Sequence, residues 1–132
     1  MVLVDTSVFI DFLKGKSSLQ TEKLDDLIAK EILFGINDFI YQEILQGAAT
    51  KKEFNTLRDY FSTQKFYSLK EGRASYESAA EIYFKCGKSG VTLRSTIDLL
   101  IAQTAIENDI YLLHNDSDFD RIAKILNQLK IY

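Results

Sequence analysis

Two apolar rhythms alternate along this chain. Val2-Leu3-Val4, Ile32-Leu33-Phe34-Gly35-Ile36 and Ile110-Tyr111-Leu112-Leu113 are short, almost unbroken apolar runs, as in strands buried on both faces. Between them apolar positions return every three or four residues. Val8, Phe9, Phe12 and Leu13 predict a helix ending at Gly15, and Leu24, Leu27 and Ile28 another within Glu22–Lys30. Phe39, Ile40, Ile44 and Leu45 predict a third, capped by Asn37 or Asp38 and stopped near Gly47. Amphipathic helices follow over Lys51–Phe61 and from about Gly72 to Lys85, with a weak strand at Lys65–Leu69 between them. Cys86 to Arg94, carrying Gly87 and Gly90, reads as an exposed basic loop. Ser95–Glu107 is apolar almost all round, as in a helix packed on a sheet, and Asp118–Leu126 is the last helix before an edge strand at Leu129–Tyr132. Such alternation requires right-handed βαβ crossovers and predicts an α/β fold with a central, mostly parallel sheet between helices. No proline, internal period or linker interrupts the pattern, so residues 1–132 read as a single domain.

Composition narrows the chemistry. With 46% hydrophobic and 27% charged residues the chain has an ordinary globular make-up, which excludes disorder, collagen and coiled coil. No apolar run approaches the roughly 20 residues of a spanning helix, and Met1–Lys14 lacks the basic start of a signal peptide. One cysteine and one histidine exclude an internal disulfide and a Cys/His zinc site, so a reducing cytoplasm is the expected location. A formal charge of −3 argues at first sight against a polyanionic partner. Four of the 19 acids gathered around a cation would, however, leave 15 against 16 Lys and Arg, a nearly neutral surface.

The acids are placed where such a gathering could occur. In a parallel sheet ligands bind beyond the carboxyl ends of the strands, and there Asp5 follows the first strand while Asp116 and Asp118 follow the Tyr111–Leu113 strand. Glu43 lies beside Ile40 and Ile44 near the apolar face of its helix, and Asp98 shares a stripe with Ile101, Ala102 and Ala105, where an unpaired charge is costly. Each also has a structural reading. Asp5 and Asp116 suit helix N-caps, Ser95-Thr96-Ile97-Asp98 spells a capping box, and Glu43 alone would suit a solvated helix face. Their coincidence at one edge favours a site for Mg²⁺ or Mn²⁺, and converging carboxylates with such an ion are the equipment of phosphodiester hydrolysis.

The runs Met1 to Asp11, the Glu43 helix, Asp98-Leu99-Leu100-Ile101-Ala102 and Leu113-His114-Asn115-Asp116-Ser117-Asp118-Phe119 resemble, in order and spacing, the acidic motifs of PIN domains, and more narrowly VapC-type toxins. The resemblance spans essentially the whole chain. It implies an α/β/α sandwich, a Mg²⁺- or Mn²⁺-dependent endoribonuclease cutting RNA, and a cognate VapB-type antitoxin that blocks the site. Carried over, the four acids are Asp5, Glu43, Asp98 and Asp116, with Asp5, Asp98, Asp116 and Asp118 as metal ligands and the Thr6 hydroxyl nearby. A Ser or Thr often found before the last acid is replaced here by His114 and Asn115, which read as a structural histidine and a turn residue.

Lys88 and Arg94, in the basic segment before Asp98, could guide a phosphate backbone to the site, though lysines near glycines are usually solvated surface. Tyr76, Tyr83 and Phe84 at helical spacing suit core or a homodimer interface better than base stacking. Two rival functions are an inactive PIN-like module that only binds RNA or protein, and a phosphorylated receiver domain. The second needs an acidic pair after the first strand and a late lysine, whereas Asp5-Thr6 and a lysine-free Leu113–Phe119 stand here.

Overall fold

A computed structural model of the chain describes residues 1–132. Its frame is β1 (Val2–Val4), α1 (Thr6–Leu13), α2 (Leu19–Ala29), β2 (Phe34–Ile36), α3 (Asp38–Gln46) and α4 (Lys51–Phe61). It continues with β3 (Lys65–Phe66), α5 (Arg73–Lys88), α6 (Thr96–Glu107), β4 (Tyr111–Leu113), α7 (Ser117–Ile125) and β5 (Lys130–Ile131). The five strands are all parallel in the order β3-β2-β1-β4-β5, with Leu3 opposite Gly35 on one side and Leu112 on the other. Successive strands step outward from β1 in one direction, and β4 returns to its other side. Because parallel crossovers are right-handed, that reversal sends the helices to opposite faces. The contacts agree: α1, α2, α3 and α4 pack together, as do α5, α6 and α7, and α3 meets α6. The fold class expected from the alternation is therefore the one observed. No helix is long and apolar enough to cross a membrane.

Helix ends explain most departures from the sequence pattern. α2 starts at Leu19 because the Ser18 hydroxyl accepts the Thr21 amide (3.1 Å) while Thr21 Oγ1 accepts the Ser18 amide (2.9 Å); a threonine stands where the usual box has Glu or Gln. The expected exposed loop at Cys86–Arg94 is corrected in its first half. α5 runs on to Lys88, since Cys86 falls one turn after Ile82 on the buried stripe with Ala79, and Gly87 faces open space. Gly90 (φ 80°) makes the stop, with the Val91 amide bonded to the Cys86 carbonyl at 2.9 Å.

The same left-handed stop ends α2 at Glu31 (φ 54°), where the Ile32 amide reaches the Leu27 carbonyl at 3.0 Å. A side chain there costs about 1 kcal/mol that glycine avoids. Glu31→Gly is expected to raise the thermal midpoint by roughly 3 °C, measurable by calorimetry.

Candidate active site

The β1–β4 ladder continues one residue past β1, through the Asp5 amide to the Leu113 carbonyl at 2.9 Å. That bond holds Asp5 at the carboxyl edge between the two strands where the sheet order reverses, the crevice in which open α/β sheets bind ligands. Asp5 caps α1. Its Oδ2 accepts the Ser7 amide (3.1 Å) and the Ser7 hydroxyl (2.6 Å). The same Ser7 oxygen accepts the Asn115 amide (3.0 Å) from beyond β4, so one hydroxyl fastens Asp5 to the opposite loop. Thr6 works outward in parallel, its hydroxyl donating to Glu43 Oε1 at 3.0 Å and tying α3 to the β1–α1 junction.

Asp98 enters from the first turn of α6. Ser95 Oγ accepts its amide at 3.3 Å, but the reciprocal bond from the Ser95 amide to the Asp98 carboxylate is not made. Half of the capping box therefore forms, and the Asp98 carboxylate is left without a bond to Ser95. Burial and then the charges of Asp5, Asp116, Glu43 and Asp118 push its carboxyl up to about 7. Asp5, only 5% exposed, is also raised by burial, against the lowering effect of its Ser7 bonds. Glu43 is raised by burial first, with a smaller contribution from Asp5. None of the ion pairs in the chain places a lysine or arginine on Asp5, Glu43, Asp98 or Asp116.

The Asp116–Asp118 turn is organised differently. Asp116 Oδ1 accepts the Asp118 amide (3.0 Å) and caps α7, while the buried Asp118 is held by Arg121 at 3.1 Å. Asp118 is thus already paired, the least available of the five acids for a cation. His114 is buried at the end of β4, its Nδ1 accepting the Asp116 amide at 3.0 Å. The ring proton then sits on Nε2, 3.2 Å from Asp120 but without a well-directed bond. Asn115 does more than turn the chain, since its side chain donates to Asp11 at 3.1 Å. Lys88 and Arg94 are exposed; Lys88 lies 4.7 Å over the Phe84 ring. Sequence reasoning missed Ser7, whose only signal was a hydroxyl two residues after Asp5.

The donor set is carboxylate and hydroxyl oxygen, hard ligands with uncompensated negative charge, and in type it suits Mg²⁺ or Mn²⁺. As the side chains lie, no three of them are drawn together closely enough to surround one ion.

The profile of the PIN domain family matches residues 2–125. The chain belongs to this family. Among its relatives, ribonuclease VapC11 of Mycobacterium tuberculosis is 30% identical over 128 residues, covering 96% of this chain and 95% of that protein. Similar PIN folds occur in VapBC2 from Rickettsia felis, bound to a promoter DNA fragment (TM-score 0.70, 20% identity, 100% of this chain and 98% of that one). They also occur in VapBC-1 from nontypeable Haemophilus influenzae (TM-score 0.71, 19% identity, 100% and 97%). At such identities these two structures establish the PIN fold itself.

Proposed function

We propose that this chain is a metal-dependent endoribonuclease and the toxin of a toxin–antitoxin pair. The observation that carries the reading is the placement of Asp5 at the carboxyl edge between β1 and β4, where the sheet order reverses, with Glu43 tied to the same junction through Thr6 and no lysine or arginine paired with Asp5, Glu43, Asp98 or Asp116. A VapC ribonuclease covering almost the whole chain supports the substrate class. Asp5 and Asp98 would hold the ion, with Glu43 and Asp116 beside them directly or through water, and Mg²⁺ or Mn²⁺ there would activate water and offset charge on the phosphoryl oxygens. The chain's own part is to fix the acids: Ser7 holds Asp5, Thr6 holds Glu43, and α6 presents Asp98 without a competing bond. Incubating the protein with mixed cellular RNA and Mn²⁺ tests this. Fragments that vanish with chelator are expected; intact RNA at saturating Mn²⁺ would leave a binding module instead.

The antitoxin has a place to seat. Between α1, α2 and α4 lies a cleft of about 260 Å³ in which nine of ten lining residues are apolar, among them Phe12, Leu13, Ile28 and Tyr60. An amphipathic partner segment burying these side chains, with an Arg reaching Asp5, Glu43 and Asp98, would cover both cleft and site. A homodimer through α5 is supported by Tyr83 and Phe84, which are exposed rather than core. Light scattering is expected to give twice the 15.1 kDa chain mass, and a monomer at micromolar concentration would remove the dimer.

A further inference from the structure

Three of the four acids are steadied by a hydroxyl: Ser7 on the Asp5 carboxylate, Thr6 on that of Glu43, and Ser95 on the Asp98 amide. Asp116 has none. It lies in the turn between β4 and α7, and the acceptor for its own amide is the ring of His114.

That bond is local and directional. His114 Nδ1 accepts the Asp116 amide at 3.0 Å, a side chain bonding the amide two residues on, as the oxygens of Asn, Asp and Ser do in tight turns. The next link repeats it, with Asp116 Oδ1 accepting the Asp118 amide at 3.0 Å. Asp116 is thus held twice, through its backbone by His114 and through its side chain by the start of α7. One residue earlier, the Asn115 amide is fixed on Ser7 at 3.0 Å. Of the Asp116 carboxylate only Oδ1 is engaged, and no lysine or arginine pairs with it. Its charge nevertheless acts on Asp98 across the site.

The imidazole is itself held. His114 is 6% exposed, and its ring centroid lies 5.1 Å from that of the fully buried Phe119. Nε2 is sealed from solvent, 3.2 Å from Asp120. Buried in this way the ring does not meet RNA, so any part it has in the chemistry is exerted through Asp116.

We propose that His114 is the positioning residue for Asp116: its Nδ1 fixes the turn that carries the Asp116 carboxylate, and uptake of the divalent cation depends on that acceptor. The proposal rests on the reading of the acids as a Mg²⁺ or Mn²⁺ site for RNA cleavage. It gives the one histidine of the chain a task that is neither proton transfer nor packing alone.

Two substitutions separate the acceptor from the ring. His114→Asn loses the ring but keeps an oxygen able to accept the amide two residues on, whereas His114→Phe keeps a ring against Phe119 and has no acceptor. Mn²⁺ is titrated into the full chain without RNA, with the free ion counted by electron paramagnetic resonance at a temperature where circular dichroism shows each protein folded. His114→Phe is expected to raise the Mn²⁺ dissociation constant about tenfold, the scale on which lost support weakens a metal site, while melting close to the parent. His114→Asn is expected to melt several degrees lower and yet to bind Mn²⁺ nearly as the parent does. The Mn²⁺ concentration for half-maximal cleavage should follow the same order. In the parent, whose single imidazole gives unambiguous ring ¹⁵N signals, a coupling across the bond is expected between Nδ1 and the Asp116 amide proton.

Equal Mn²⁺ binding by His114→Phe and the parent overturns the proposal, as does a loss in His114→Asn matching that in His114→Phe; the histidine then serves packing. If His114→Asn does not fold, the coupling and the His114→Phe titration decide between the same two answers. The expected Mn²⁺ pattern with RNA left intact would keep His114 as the support of Asp116 and remove the ribonuclease reading. RNA cut equally by parent and His114→Phe at every Mn²⁺ concentration would keep that reading and remove this one.

Discussion

Asp98→Asn is expected to lower RNA cleavage by about a hundredfold or more while making the metal-free protein more stable at pH 8. The second effect follows from the sign of its shift. A carboxyl whose folded pKa is raised contributes its stability fully below the unfolded value of about 3.9 and loses it as pH climbs through the folded value. For Asp98 that value is about 7, so the loss accrues between roughly pH 4 and 7. Taken whole, the shift from 3.8 corresponds to about 4 kcal/mol. Asp98 is only half-buried, so water screens much of this and about 1–2 kcal/mol is expected. Melting curves should therefore show the variant roughly 3–6 °C above the parent at pH 8 and level with it below pH 4. Mn²⁺ at about a hundred times its dissociation constant should add roughly 2.7 kcal/mol to the parent and less to the variant. A variant that melts lower without metal and still cuts RNA would make Asp98 a helix cap and nothing more.

Gly35→Ala should be among the most damaging single substitutions to the fold. Gly35 pairs with Lys65 across β2 and β3, and a Cβ there would lie 2.3 Å from the Lys65 carbonyl oxygen as well as against the Tyr67 ring. Backbone cannot swing aside as a flexible side chain does, so β3 must separate from β2 or the sheet must shift. Overpacking of well-packed sites costs about 1–3 kcal/mol, and a backbone collision belongs at or above the upper end. Urea unfolding is expected to show a midpoint lowered accordingly, with soluble yield reduced. A midpoint within error of the parent would mean that β3 is loosely held against β2.

Which features could be read in the sequence depended on how far apart the interacting residues lie. Strand and helix types followed from local rhythm, and Asp5 and Glu43 stood out because each breaks an apolar pattern within a few residues. Asp98 was legible as an acid on an apolar stripe, but its choice between cap and site turned on a bond to Ser95 that only coordinates reveal. Ser7 was not legible, because the amide that makes its hydroxyl a bridge belongs to Asn115, 108 residues away. Tyr67 and Gly35 were hidden likewise: their contact depends on the close approach of β2 and β3. The overrun of α5 was a misjudged glycine. Gly87 costs a helix about 1 kcal/mol against alanine, which a buried Cys86 one residue earlier can outweigh.

The strand order also governs when during synthesis the site can exist. β1 leaves the ribosome first, yet its neighbour β4 pairs Val2 with Tyr111, so the centre of the sheet closes only after most of the chain has been made. Asp5 waits for the Asn115 amide that steadies Ser7, and Asp116 emerges later still. No shorter nascent chain can assemble all four acids. The proposed ribonuclease activity can therefore begin only once translation has passed the last of them.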